Sequence, residues 1–389
     1  MTNWNMNFDF VLPTKIVFGP GSAEKTGAQL RAMELTRPLV VTDPGVRKAG
    51  VADRVCACLD AEGITYQIFD EVEANPKDVN VEAGARAYRS FGADCLIAIG
   101  GGSPIDCAKS IGVLIAHDAE KIKPYEGKTA ATKPNPPLIC VPTTAGTGSE
   151  VTFSSVITDT ENHYKMTVKS PYTAPNVALC DPLLTISVPR GTTAATGVDA
   201  LTHAIEGFTA NCAEPIGDAA ALYSIELICE NLPTAVRCGS DLDARSAMLM
   251  GSLLGAISFS HSDVASVHCI AEALGSMYDL PHGVCNAIFL PHVMEYNMPW
   301  CMPRYARVAR AMGAVFESEE EGAKEAVRRV KALTQEVGLP TFASLAVAEA
   351  DFDALAEMSV RNGSNPSNPR PMEKEDYLNI LRLAFADGK

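Results

Sequence analysis

The sequence lacks the features that mark membrane-spanning or secreted proteins. No stretch approaches the roughly 18 consecutive apolar residues that a membrane-spanning helix needs. The first ten residues, MTNWNMNFDF, contain no basic region followed by an apolar one, so we expect no signal peptide. These absences predict a cytoplasmic protein that does not act at a membrane.

The sequence also lacks a cysteine motif. The 12 cysteines are scattered, the closest pair is Cys56 and Cys58, and no C-x-x-C motif occurs. A zinc ribbon or a redox-active dithiol is therefore unsupported, and we expect reduced thiols that behave as small apolar side chains.

Positive charge is scarce. The 32 lysines and arginines are outnumbered by 47 aspartates and glutamates, which gives a formal net charge of −15. A nucleic acid or an anionic membrane surface is a poor partner for such a chain. Solubility is the simpler explanation of the charge.

What is present is a change of pattern near the middle of the 389 residues. The first half alternates short apolar strands with helical stretches, which favours a parallel sheet covered on both faces. From about residue 189 the chain becomes rich in Ala and Leu. The pattern predicts an α/β domain over 1–187 and an all-helical domain over 188–389. The predicted strands are 38–43, 64–69, 95–99 and 138–141. The predicted helices are 51–62, 79–91, one from 105, 192–210, 215–231, 243–259, 262–277, 303–313 and 318–337.

Two glycine-containing loops follow apolar strands. In the first, Gly101 and Gly102 would let the backbone approach a diphosphate at a helix N-terminus, and Ser103 could donate its hydroxyl. This loop does not fit G-x-G-x-x-G, and a tight turn is the alternative. The second loop, VPTTAGTGSE over 141–150, is crowded with hydroxyls and glycines. Two such loops at strand ends match the place where open α/β sheets bind ligands.

Asp43 closes an earlier strand. A carboxylate in that position can accept hydrogen bonds from an adenosine ribose and would repel a 2′-phosphate, which favours NAD over NADP. The alternative is a helix-capping aspartate.

The helical half contains a candidate metal site. Asp199 and His203 are four residues apart and would project from one face of a helix. His268 lies on an otherwise apolar helix, and His282 follows in a D-L-P-H-G segment. A single D-x-x-x-H is weak support, because an ion pair is commoner. Three of only seven histidines in such contexts, together with Asp199, favour Fe(II) or Zn(II).

These motifs together resemble the iron-containing (group III) alcohol dehydrogenases almost from end to end. The resemblance is carried by PTKIVFGPGS, VVTD, GGGSPIDCAK, PTTAGTGSEVT, GVDALTHAIEG, YDLPHGVCNAIFLPHV and NPR at 368–370. It implies a Rossmann-like N-terminal domain, a helical C-terminal domain and a homodimer or larger homo-oligomer formed through the N-terminal strand region. The metal ligands that it implies are Asp199, His203, His268 and His282. The NAD contacts that it implies are Asp43, Gly102, Ser103, Thr143, Thr144 and Thr147, with Asn75, Thr152, Lys165 and Leu183 carried by less specific motifs.

The chain departs from the family pattern at two positions. Many relatives read H-x-x-x-H where this chain has His268 and Glu272. Glu272 could relay a proton, could bind a hydroxyl or ammonium group of the substrate, or could orient His268. His261 stands where relatives often carry a smaller polar residue. It could line the pocket, or it could be an exposed or structural histidine.

The sequence therefore predicts a metal-dependent NAD(H) alcohol dehydrogenase or aldehyde reductase for a small alcohol, diol or hydroxyaldehyde. One alternative is a dehydroquinate-synthase-like lyase, although no Lys/Arg cluster accompanies the ligand motifs. Another is a non-catalytic NAD-binding protein whose metal only holds helices together.

Overall fold

The computed structural model describes residues 6–162 and 164–388 of the chain. The chain divides into two compact units. One contains Leu12–Thr144 and Gly148–Val188. The other contains Pro189–Lys389, the N-terminal segment up to Val11, and the three residues Ala145–Thr147. The sequence pattern placed the main division close to Val188, but gave no sign that three residues of the second glycine-containing loop belong with the helices.

The first unit is an α/β domain. Its strands are β1 (Lys15–Phe18), β2 (Pro38–Val41), β3 (Gln67–Phe69), β4 (Cys95–Gly100), β5 (Leu138–Pro142), β6 (Ser154–Asp159), β7 (Tyr164–Lys169) and β8 (Val177–Cys180). Its helices are α1 (Thr26–Ala32), α2 (Pro44–Lys48), α3 (Val51–Ala61), α4 (Asp78–Phe91) and α5 (Gly102–His117). Six strands form a parallel sheet in the order β1-β8-β5-β4-β2-β3, and β6 and β7 form an antiparallel hairpin.

The central strands are buried on both faces. Every residue of β4 and β5 is buried, and successive side chains enter different cores. Leu96 and Ala98 join one apolar cluster, whereas Ile97 and Ile99 join the other. This arrangement explains why both strands are continuous apolar runs rather than alternating ones.

Helix α5 begins at Gly102, three residues before the predicted start at 105. Glycines after a strand usually indicate a loop, but here Gly101 is the N-cap and Pro104 lies in the first turn, where its missing N–H costs nothing. The early start places the backbone of Gly102 and Ser103 in the first turn of a 16-residue helix.

The second unit is helical. Its helices are α6 (Arg190–Thr209), α7 (Pro215–Arg237), α8 (Leu242–His261), α9 (Ser266–Tyr278), α10 (His282–Ala311), α11 (Glu319–Glu336), α12 (Phe352–Arg361) and α13 (Lys374–Asp387). Residues 197–209 of α6 are all buried, so α6 is the centre around which the other helices pack. Within the described residues, no helix combines the length and the apolar character needed to cross a membrane.

Helix α10 is the largest departure from the sequence prediction, which placed only 303–313 in a helix here. It runs for 30 residues and includes Pro291, Pro299 and Pro303. An internal proline removes a backbone hydrogen bond and normally indicates a helix end. Burial of Phe289, Leu290 and neighbouring side chains offsets that loss.

Candidate metal and nucleotide sites

The predicted nucleotide residues lie at one edge of the parallel sheet. Asp43 follows β2, Gly101 and Gly102 follow β4, and Thr143 follows β5. Because parallel strands end at the same edge, these loops are neighbours. The Thr143 amide donates to the Gly100 carbonyl at 3.0 Å. A Cβ added at Gly101 would lie 3.0 Å from the Thr144 hydroxyl.

The start of α5 has the backbone conformation of an anion site. Gly100 has a φ of 154°, which favours glycine, and a Cβ there would lie 2.5 Å from Pro104 Cγ. The first-turn amides of Gly102 and Ser103 have no partner within the helix ladder. A helix N-terminus of this kind stabilises a diphosphate through its amides and its dipole.

Asp43 is a helix cap in the structure. Its Oδ1 accepts a hydrogen bond from the amide of Val46 at 2.9 Å, at the N-terminus of α2. The helix-capping role that the sequence offered as the alternative for Asp43 is thus present. The residue also stands at the end of β2, where a ribose contact would be made.

The remaining predicted nucleotide contacts occupy different places. The Lys165 ammonium donates to Asn75 Oδ1 at 2.8 Å, so the structure brings these two together. The Thr152 hydroxyl accepts from the Lys109 ammonium at 2.7 Å and is buried. Leu183 lies in the short turn after β8, where its amide donates to Asp181. Thr147 belongs with the helical unit.

Sequence reasoning missed two charged residues that brace the loops. Lys109 is fully buried and also donates to the Ser154 carbonyl at 2.9 Å. Asp106 accepts from the Ser149 hydroxyl and from the Val156 amide. Burial raises the pKa of Asp106 and lowers that of Lys109, and the opposite charges partly offset both effects. The available signal was two charges inside an otherwise apolar helix.

The helical unit gathers three of the four predicted metal ligands. One ligand atom each from Asp199, His268 and His282 lies within 4.8 Å of the other two. His282 Nε2 is 3.7 Å from Asp199 Oδ1. Asp199 projects from α6, His268 from the first turn of α9, and His282 from the start of α10. A carboxylate and imidazoles on three helices form a donor set suited to Fe(II) or Zn(II).

His203 lies beside this group, one turn after Asp199 on α6. Its ring stacks on His268 with centroids 4.6 Å apart, and its Nδ1 is 3.3 Å from the Gly146 carbonyl. Burial lowers the pKa of His203 to about 4, which leaves the imidazole neutral at physiological pH. Because Nδ1 faces the Gly146 carbonyl, Nε2 is the His203 nitrogen that could bind a metal ion.

The polar atoms at the centre fit a cation. Asn286 Nδ2 lies 2.6 Å from Asp199 Oδ1 and 3.2 Å from Nε2 of both His268 and His282. An amide NH₂ has only two hydrogens, so it cannot satisfy three converging acceptors. Asn286 Oδ1 is buried, with no hydrogen-bond partner in the described ranges 6–162 and 164–388. Acceptors that converge in excess of the available hydrogens are what a bound metal ion would satisfy.

Glu206 is a third charged residue that sequence reasoning missed, and it lies beside the candidate metal site. It follows His203 on α6 and accepts from His268 Nδ1 at 2.5 Å. It also accepts from the amides of Val267 at 2.7 Å and Ala265 at 3.0 Å. One carboxylate thus caps α9 and, by binding Nδ1, leaves the His268 Nε2 lone pair for the candidate metal site formed with Asp199 and His282. Burial lowers the pKa of His268, whereas the Glu206 carboxylate raises it, and the resulting pKa is above its usual value.

We expect Glu206→Gln to weaken metal binding about 10- to 100-fold, the range typical of partners that orient a ligand. The test is a competition titration against a chromophoric chelator. Glu214→Gln is a matched control, because Glu214 caps α7 through the amides of Ile216 and Gly217 without contacting any predicted ligand. Equal losses of metal affinity in both variants would show that Glu206 acts only as a helix cap.

The two residues at which the chain departs from the family pattern, His261 and Glu272, have different surroundings in the structure. His261 stacks on Phe10 at 3.9 Å, and its ring nitrogens contact the backbone of Ile257 and Val11. These contacts fit the structural alternative. Glu272 lies one turn after His268 on α9, where its Oε2 accepts from Asn362 Nδ2 at 2.6 Å.

Comparison with known proteins identifies the family. The family model for iron-containing alcohol dehydrogenase matches residues 13–182, and the model for the Fe-containing alcohol dehydrogenase C-terminal domain matches residues 193–385. The chain belongs to the iron-containing alcohol dehydrogenase family. The resemblance inferred from the motifs is confirmed.

Individual family members are similar over nearly the whole chain. The 1,3-propanediol dehydrogenase of Klebsiella pneumoniae is 41% identical, covering 97% of this chain and 99% of its own. The lactaldehyde reductase of Escherichia coli (strain K12) is 38% identical, covering 95% and 97%.

Solved structures of similar enzymes have the same fold over nearly the whole chain. A 1,3-propanediol oxidoreductase has a TM-score of 0.95 at 40% identity, covering 98% of this chain and 100% of that one. The sulfoacetaldehyde reductase of Bifidobacterium kashiwanohense in complex with NAD⁺ has a TM-score of 0.89 at 29% identity, with the same coverages.

Family membership establishes the reaction class. The chain is a metal-dependent NAD(H) alcohol dehydrogenase that acts on small alcohols or diols. Its cofactors are NAD(H) and a metal ion, and the predicted fold, a parallel-sheet domain followed by a helical one, is confirmed. The lyase and the non-catalytic alternatives are set aside.

Proposed function

We propose that this dehydrogenase interconverts a short hydroxyaldehyde and the corresponding diol, with NADH as the reductant. The observation that carries the proposal is the convergence of Asp199, His268 and His282 on one point in the helical unit. The relatives named for 1,3-propanediol and lactaldehyde support a substrate with a second oxygen near the reacting carbon.

In this proposal Asp199, His203, His268 and His282 hold the metal ion. A divalent iron or zinc ion would act there as a Lewis acid toward the substrate oxygen. The protein residues supply its surroundings: Glu206 orients His268, and the Gly146 carbonyl orients His203.

The proposed nucleotide site uses the sheet unit. The first-turn amides of α5, at Gly102 and Ser103, bind the diphosphate, with Gly101 allowing its close approach. Thr143, Thr144 and Thr147 line the nucleotide, and Asp43 accepts from the ribose and selects NAD. The remaining proposed contacts are Asn75, Thr152, Lys165 and Leu183.

We also propose that the enzyme works in the cytoplasm as a homodimer or larger homo-oligomer. Support for assembly comes from β1, which lies at an edge of the parallel sheet and so presents unpaired backbone groups on one side.

The proposed function is tested by NADH oxidation. Protein purified without oxygen and loaded with Fe(II) or Zn(II) is given 3-hydroxypropanal, lactaldehyde and propanal, beside a metal-stripped control. We expect metal-dependent NADH loss, with kcat/KM higher for the hydroxyaldehydes than for propanal. Equal rates with and without metal, or no turnover of any aldehyde, would refute the proposal.

A further inference from the structure

Glu272 is a partly exposed carboxylate one helical turn from His268. It lies four residues after His268 on α9, so the two side chains project from one face, about 5–6 Å apart at their Cβ atoms. Glu272 is partly exposed, whereas the adjacent Ala271 and Ala273 are buried. A partly exposed carboxylate next to a buried ligand is accessible to a bound small molecule.

The structure excludes one of the three roles that the sequence left open for Glu272. His268 Nδ1 is held by Glu206 at 2.5 Å, so the orientation of that ring is already provided from α6. Glu272 is therefore not the carboxylate that orients His268.

The Glu272 carboxylate is held in place by Asn362. The Asn362 Nδ2 donates to Glu272 Oε2 at 2.6 Å, while its Oδ1 accepts from the Ser364 amide at 2.9 Å. With both ends of its amide engaged, Asn362 has a defined orientation.

The segment that carries Asn362 is itself fixed to the start of α9. The Ser364 and Ser367 hydroxyls donate to the Asp263 carboxylate at 3.3 and 3.1 Å. The Tyr377 hydroxyl bridges Ser266 and Asn365. Asp263 has a φ of 154°, a strained conformation for a residue other than glycine. Such strain persists where the surroundings over-determine the backbone, as these contacts do here.

We propose that Glu272, positioned by Asn362, determines specificity by accepting a hydrogen bond from a donor group at the far end of the substrate. This inference rests on the proposed function and names its substrate class. The donor is a second hydroxyl or an ammonium group two or three carbons from the reacting carbinol. The spacing of one helical turn between His268 and Glu272 is comparable to the separation of the two oxygens in an extended 1,3-diol. A terminal carboxylate on the substrate is disfavoured because it would meet a like charge.

The test compares kcat/KM for oxidation of 1,3-propanediol, 3-amino-1-propanol, 3-hydroxypropionate and 1-propanol. We expect the wild type to prefer the first two over 1-propanol and to disfavour 3-hydroxypropionate. Because a hydrogen bond to a charged group is at stake, Glu272→Ala should lower the ratio of diol to 1-propanol about 10- to 100-fold, mainly through the KM for the diol.

Two further variants separate hydrogen bonding from charge. Glu272→Gln keeps a carbonyl acceptor, so it should retain part of the diol preference but lose the preference for 3-amino-1-propanol and the discrimination against 3-hydroxypropionate. Asn362→Ala should lower the diol ratio less than Glu272→Ala does. Ser276→Ala is the control for changes on α9, because the Ser276 hydroxyl donates to the backbone carbonyl of Glu272 rather than to its carboxylate.

The outcomes distinguish this inference from the proposed function. Metal-dependent oxidation of 1-propanol by the wild type, with unchanged substrate ratios in the Glu272 and Asn362 variants, would overturn the specificity role and leave the reaction intact. Equal changes in the Ser276 control would also overturn it. Absence of metal-dependent oxidation with any alcohol would count against the proposed function itself.

Discussion

Replacing Asp199 by alanine is expected to abolish stoichiometric metal binding and to lower kcat/KM at least 1,000-fold. Asp199 is the only anionic side chain among the four proposed ligands and is almost fully buried. Burial raises the pKa of Asp199, but the three neighbouring histidines outweigh this effect and hold the pKa below its usual value. Asp199 is therefore ionised at neutral pH. Loss of a Lewis acid costs several kcal/mol of transition-state stabilisation, and about 1.36 kcal/mol corresponds to a tenfold change in rate.

The measurement is metal content per chain by elemental analysis, followed by turnover with excess Fe(II). Asp218→Asn is the matched control. Asp218 is also a buried aspartate of the helical unit, but it pairs with Arg304 at 2.8 Å rather than with a histidine. We expect the Asp218 variant to retain its metal. An Asp199→Ala protein that holds one tightly bound metal per chain and turns over at the wild-type rate would refute the proposed ligand set.

The central strands of the sheet were predictable from sequence because they are fully buried. Strands β2, β4 and β5 are short apolar runs that end in turn residues, and their predicted limits lie within two residues of those observed. Such runs depend on local composition alone. Strands β6 and β7 were not predicted, because they form a hairpin that alternates buried and partly exposed residues and lacks a continuous apolar signal.

The bounds of two helices, in contrast, could not be predicted from local sequence. The prediction for α10 failed because proline content is a local signal for a helix end, whereas the burial that maintains this helix comes from distant segments. The start of α9 at Ser266 rather than at 262 has a similar origin, since the strained Asp263 is held by serines about 100 residues later.

The residues of the candidate metal site likewise fall into two groups, those that local spacing brings together and those that distant segments bring together. Asp199 and His203 share one helical face, so their proximity is a local fact that spacing reveals. His268 and His282 come from two other helices. Their sequence contexts and the family resemblance suggested them as ligands, but no spacing along the chain could show that they lie near Asp199. Glu206 and Asn286 had no local signal at all, because their partners lie 62 and 87 residues away in the chain. The partner of Glu272 is likewise 90 residues distant.

Glu150 is a buried carboxyl group that the proposed mechanism does not use. Glu150 is the last residue of the second glycine-containing loop and is buried, with 2% of its surface exposed. Burial raises its pKa from 4.5 to about 7, and the positive charge of Lys109 offsets only part of this. Buried acids of this kind hold their proton more tightly in the folded protein than in the unfolded chain.

The sign of the pH dependence follows from linkage. Because the folded pKa is the higher one, the folded state is undisturbed below pH 4.5 and loses stability as the pH rises from 4.5 through about 7. The full loss above that range is about 3 kcal/mol, at about 1.36 kcal/mol per pH unit. Glutamine resembles the protonated acid, so Glu150→Gln should remove this loss.

We therefore expect Glu150→Gln to raise the melting temperature by several degrees at pH about 8.5 and to leave it nearly unchanged at pH about 5. Thermal unfolding followed by circular dichroism at both pH values measures the difference. Glu82→Gln is the contrast within the same unit, because Glu82 is a buried glutamate that pairs with Lys121 at 2.9 Å, and removing this ion pair should give no stabilisation at high pH. A shift of the same size at both pH values, or a lower melting temperature for Glu150→Gln at high pH, would show that Glu150 is not buried as the neutral acid.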